Sequence, residues 1–231
     1  MKSIITILVF FVFSISNAAT ISGKINFKGS VPKAEKIKMN ADPKCVKIHS
    51  GKDVFSQQIV VNTNNTLQWV FVYVKSGLPA GKKYPTPKTP ATLNQAGCMY
   101  TPHVAGIMVN QPLDILNSDA TLHNVHALPK NSPQFNIAQP KQGMKMTKSF
   151  SKAETMVKIK CEVHTWMTSY FGVLDHPYYS VSEEKGNFEI KDLPAGEYEI
   201  VAWQEKLGEQ TIKVKVGEKE AKSVDFTFES K

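Results

Sequence analysis

Arginine is missing from this chain; all 28 of its cationic side chains are lysine. Without arginine there are no guanidinium forks to read guanine edges, and the lysines are scattered rather than striped, so nucleic acid is not an expected partner. A formal net charge of +8 then has two readings. The lysines either form a solvated surface or speed encounter with an acidic docking face on a protein partner. Cysteine is scarce, at three, too few for an iron–sulfur cluster on four thiolates. No stretch shows a capped 3.6-residue apolar period, so no helix is expected. Beyond the first 18 residues no apolar run approaches the length of a membrane span. Low-complexity tracts and internal repeats are absent as well.

What is present begins with an address. Lys2 precedes an apolar run from Ile4 to Ile15, broken only by Thr6 and Ser14, and Ser16-Asn17-Ala18 offers small residues for cleavage. Residues 1–18 are expected to be a signal peptide and the chain to be exported to a periplasm; a retained N-terminal anchor is the other reading. No cysteine follows the run, so lipidation there is not expected.

The rest has the grammar of strands. Alternation or β-branched runs mark Ile21 to Phe27, Gln58 to Val61, Leu67 to Val74, Tyr170 to Leu174, Asn187 to Ile190, Tyr198 to Trp203, Thr211 to Val216 and Val224 to Phe228. From Met156, alternation sets Val157, Ile159 and Cys161 on one face and Lys158 and Lys160 on the other. Lys82 to Pro90 carries three prolines and reads as a connector. The expected fold class is all-β.

The chemistry concentrates in Cys161-Glu-Val-His164-Thr-Trp166-Met167, with His123-Asn124-Val125 lying 38 residues upstream. A thiolate, two imidazoles and a weak axial thioether form the ligand set of a mononuclear electron-transfer copper site, because that mixture suits both Cu(I) and Cu(II). Copper also displaces the thiol proton, so no separate base is needed. Zinc seldom takes a thioether. A binuclear copper centre would need a second cysteine in the loop. Taken alone, Cys161 could be a buried structural thiol, and His164 and Met167 loop and core residues. Cys45 and Cys98 remain to pair as a disulfide in an oxidising compartment. His126 has the wrong strand parity to share a metal with His123. His49 and His103 could make a second metal site or serve as hydrogen-bonded structural groups. Met146 and Met144 fit a half-buried strand, and His176 a strand-to-turn position.

Gln111-Pro-Leu-Asp-Ile-Leu-Asn117-Ser-Asp119, then Leu122-His-Asn-Val125 and the Cys-x-x-His-x-x-Met loop, resemble the cupredoxins, the plastocyanin and amicyanin class of blue copper proteins. The resemblance spans about residues 89 to 175 and is strongest toward amicyanin in the short loop. It implies one copper on His123, Cys161, His164 and Met167, with Asn124 hydrogen-bonding toward the Cys161 loop. It also implies an exposed His164 edge, with Trp166 either in a docking patch or packing the loop.

Residues 176 to 231, with Asn187-Phe188-Glu-Ile and Leu193-Pro-Ala-Gly196-Glu-Tyr198, resemble a transthyretin-like (carboxypeptidase-regulatory-like) β-sandwich. Ile21 to Phe27 and Leu67 to Val74 resemble strands of the same module. The expected organisation is a discontinuous sandwich, 19–80 plus 176–231, around a cupredoxin-type Greek-key sandwich at 81–175; three consecutive β segments are the simpler reading. The expected function is a periplasmic carrier of single electrons, not an enzyme, serving a redox partner such as a cytochrome. Cys161 is flanked by Lys160 and Glu162, so it lacks the adjacent histidine that wires such a cysteine to a second copper in copper oxidases and nitrite reductases. Copper delivery without electron transfer is the alternative, and an adhesion module a further one.

Overall fold

The computed structural model describes residues 18–230; the signal-peptide expectation falls outside them. Strands are numbered in chain order. β1 (Ala19–Lys28) pairs with β15 (Asn187–Leu193), β18 (Ala221–Ser223) and β19 (Phe226–Glu229). A second sheet runs β14 (Tyr179–Val181), β4 (Phe71–Ser76), β16 (Gly196–Gln204), β17 (Gly208–Val216). The third runs β10 (Phe135–Gln139), β9 (His123–Leu128), β12 (Glu154–Lys160), β13 (Thr168–Leu174), β7 (Val104–Met108). The fourth runs β11 (Lys145–Lys148), β8 (Leu113–Asn117), β5 (Ala91–Ala96), β6 (Met99–Thr101), and a short ribbon joins β2 (Val60–Val61) to β3 (Leu67–Gln68). The protein is all-β, as its alternation dictates.

Three apolar clusters glue these sheets face to face. Ile21, Ile25, Phe226 and Phe228 of the first sheet pack on Val72, Val74, Ile200 and Ala202 of the second. The alternate residues of those same second-sheet strands, Phe71, Tyr73 and Val201, turn the other way and pack on Val104 and Leu174 of the third sheet. Both faces of Phe71–Val74 in β4 and of Ile200–Ala202 in β16 are therefore buried, which is why those stretches are continuously apolar instead of alternating with polar residues. The approach is close: a Cβ on Gly172 of β13 would sit 2.3 Å from the Phe71 ring. Ile115, Val125, Ile159 and Phe171 fill the last interlayer, between the third and fourth sheets.

Two expectations need correction, one of a strand and one of helix. Leu67 to Val74 is not one strand; Trp69 adopts φ 64° and breaks it into β3 and β4. The absence of helix also fails, by one turn and a half. Pro43–Ile48 forms α1, with the Asp42 side chain accepting from the Lys44 N–H at its start. Asp before Pro is a sound start signal, but six residues are too few to show a period.

Candidate metal centre

β9 and β12 are antiparallel neighbours, with Ile159 opposite Ala127 and Lys160 opposite His126. His123 opens β9 and Cys161 follows the last residue of β12, so the pairing sets both at one end of the same sheet. The loop from Cys161 then folds on itself: Met167 N–H donates to the His164 carbonyl at 2.9 Å and Cys161 N–H to the Met167 carbonyl at 3.2 Å. The His164 N–H points at the Cys161 sulfur, 3.3 Å away. One short loop thus presents a thiol, an imidazole and a buried methionine beside the histidine of a separate strand.

The ligand atoms of His123, Cys161 and His164 lie within 4.8 Å of one another, and all three residues are buried. Nδ1 of His123 faces Nδ1 of His164 at 2.9 Å. Each Nε2 is engaged by a carboxylate: His123 by Asp119 at 2.8 Å and His164 by Asp42 at 3.0 Å. A carboxylate accepts, so each Nε2 carries the proton and each Nδ1 turns a lone pair to the same point. Two lone pairs meeting in a buried site need a cation between them, either a proton or a metal ion. The donor set therefore fits a soft metal bound through two nitrogens and a sulfur. Met167 is fully buried in the cluster that holds Cys161.

The electrostatics agree. Burial alone would push the Cys161 thiol up, but His123 and the backbone N–H groups of Asn124, His164 and Val163 hold it below its ordinary value. Burial opposes charge on His123, yet Asp119 and Cys161 draw it above the usual imidazole range. His164 moves the other way, lowered by burial and by the neighbouring His123 in spite of Asp42. Between them the two rings favour a single positive charge.

Supporting groups fix these side chains in turn. The Asn124 side-chain oxygen accepts the Glu162 N–H, tying β9 to the ligand loop. Asp119 accepts from His123 and from the Gly97 and Cys98 N–H groups, each at 2.8 Å. Those two residues form the β5–β6 hairpin tip, with φ of 65° and 54°, the left-handed pair that a tight hairpin requires.

Other site expectations resolve as follows. Cys45 and Cys98 are joined by a disulfide, with Cα atoms 5.7 Å apart. Contrary to the exposed edge that the resemblance implies, His164 is only 2% exposed. Asp42, the disulfide and Trp166 surround it, Cys45 Sγ lying 3.6 Å from its Nε2. Trp166 is half-buried, donates to the Cys98 carbonyl at 2.9 Å and stands 5.0 Å from the His164 ring, centre to centre. His49 bonds the Gly97 carbonyl, and His103 bonds Glu205 and the Thr168 carbonyl. Neither joins a metal-ligand cluster among the described residues. His126 pairs with Glu162 at 2.6 Å. Sequence reasoning missed the two carboxylates. Asp119 stood inside the quoted turn motif, whereas Asp42 lies 122 residues from its histidine partner and left only the Asp-Pro helix start as a signal.

No family model and no curated protein matches the sequence. The solved structures that it resembles include copper proteins. A copper-containing nitrite reductase from Thermus scotoductus SA-01 aligns at 20% identity and TM-score 0.33, over 44% of this chain and 26% of that one. A purple cupredoxin from Nitrosopumilus maritimus aligns at 22% identity and TM-score 0.31, over 36% of this chain and 98% of its own. A Cu(I) form of an amicyanin variant aligns at 17% identity and TM-score 0.33, over 44% and 97%. This chain thus spans about a quarter of the nitrite reductase and nearly all of the two small proteins. No helix among the described residues is long and apolar enough to cross a membrane.

Proposed function

We propose that the chain is an exported, periplasmic electron carrier with one type 1 copper held by His123, Cys161, His164 and Met167. The observation that carries the reading is the convergence of two carboxylate-anchored Nδ1 lone pairs on one buried thiol. Copper, when bound there, takes up and gives back one electron. The protein's part is to hold the same ligand positions in both oxidation states, and the two histidines and the cysteine are braced. Asp119 and Asp42 fix the rings, and the His164 N–H points at the sulfur from 3.3 Å. Such bracing suits electron transfer better than copper delivery, which needs a site that opens. Glu162, next to Cys161, binds His126 and Lys160, so no adjacent histidine leads from the sulfur toward a second copper. The non-enzyme reading rests on that feature.

Trp166 is the aromatic ring that leads from His164 to the surface. Its outer part lines a trough of about 410 Å³ with Glu35, Lys36 and Lys38, of which Lys36 is paired with Asp53. An acidic redox partner such as a cytochrome would dock there, with Trp166 as the contact for electrons. Strands from both ends of the chain build the first two sheets, and 91–174 supply the other two. This supports the proposal that a cupredoxin unit is inserted into a transthyretin-like sandwich that serves as its scaffold. The test is potentiometry on copper-loaded protein. A reversible one-electron couple with copper retained supports the carrier, whereas rapid loss of copper to a chelator supports delivery instead.

A further inference from the structure

The His164 edge is covered by a segment that belongs to neither of the two flanking sheets of the ligand-bearing sandwich. Residues 37–54 run across it as an irregular strap around α1, and the strap is pinned at several independent points. The Cys45–Cys98 disulfide ties it to the β5–β6 hairpin tip. His49 Nε2 bonds the Gly97 carbonyl at 2.7 Å, and Lys44 Nζ donates to the Ala120 carbonyl at 2.9 Å. Ile37, Met39 and Val54 close over the disulfide beside Met99 and Trp166.

We infer that this strap is a built-in cap of the metal centre, and that its Asp42 is a positioning residue for His164; the inference rests on the copper reading above. Asp42 is held from three sides. Oδ1 accepts the Lys44 N–H at 2.8 Å, and Oδ2 accepts the Thr121 hydroxyl at 2.9 Å and His164 Nε2–H at 3.0 Å. A carboxylate so fixed locks the ring's tautomer and angle, and its charge favours the more positive oxidation state of a metal on the far nitrogen. An imidazole edge open to water would have neither constraint. The cap also excludes small reagents from that edge, leaving the Trp166 side as the way in for electrons.

Two variants of the full chain test this, beside copper-loaded wild type. Asp42→Asn keeps size and an acceptor oxygen but removes the charge. It should bind Cu(II) about tenfold more weakly, within the usual range for groups that orient a metal ligand, with Cu(I) affinity little changed. The reduction potential would then rise by about 59 mV, the one-electron equivalent of a tenfold change. A merely structural role for Asp42 would leave the potential where it was, and that result overturns the positioning role. The Cys45→Ala/Cys98→Ala variant that also carries Lys44→Met and His49→Ala removes three of the cap's pins without touching a ligand. Its electron exchange with ferricyanide should run at least tenfold faster than wild type, whereas an unchanged rate overturns the sealing role. A wild type that binds Cu(II) without a thiolate charge-transfer band removes the type 1 copper reading and this inference with it.

Discussion

The two ends of the layered structure bury different things. Between the first and second sheets the interior is almost wholly apolar: Ile21, Phe188, Ile200, Phe226, Phe228 and their neighbours. At one end of the third and fourth sheets, Asn117, Asp119, His123, Asn124, Gln139 and His164 are all buried. A buried polar group costs stability unless it is hydrogen-bonded, and each of these six is. The first region is built as foldable sequences generally are, with each local choice serving the core. The second departs from that rule in one compact place, and such departures gather where function lies.

Mutation should separate the two regions cleanly. The largest effect is expected from Cys161→Ser: complete loss of the visible charge-transfer band of the Cu(II) protein, with the thermal unfolding of the metal-free chain little changed. Phe226→Ala should do the reverse. Removing that ring from the apolar interlayer should cost about 3–5 kcal/mol in denaturant unfolding and leave the band's position unaltered. If Phe226→Ala shifted the colour, the two regions would not be independent. Trp166→Leu should leave the colour in place and cost some stability through the lost Cys98 hydrogen bond and packing, while slowing electron exchange with a protein partner several-fold, measured by stopped flow.

The smallest effect concerns His176, buried beside Tyr84 and Tyr178. Burial, the main cause, holds its pKa below the ordinary imidazole value. The unfolded chain therefore binds the proton more readily, and stability is lost as pH falls through about 6.5, the unperturbed value, toward the lower folded one. His176→Gln should flatten that part of the stability profile in denaturant titrations at several pH values.

Much of this comparison was legible in the residues. Alternation in Val157, Ile159 and Cys161 placed the thiol on the inward face, and all three are buried. The spacing of the ligand loop is local, so its residues meet whatever the rest of the chain does. Trp69 hid the break between β3 and β4, because a left-handed tryptophan has no compositional mark. The cap was the least visible part. The Cys45–Cys98 pairing was readable from the cysteine count, but Asp42 reaches His164 across 122 residues, and a contact of that range leaves no periodicity to read. The exposed imidazole edge implied by the family resemblance was lost for the same reason: the segment that covers it lies outside the resembling stretch.

In the proposed function, His123, Cys161 and His164 hold copper with the sulfur as a direct ligand. The visible absorption spectrum of the Cu(II)-loaded chain tests it most directly. An intense band that disappears on reduction and is absent in Cys161→Ser is the predicted result. A colourless wild type carrying one tightly bound copper per chain would contradict it.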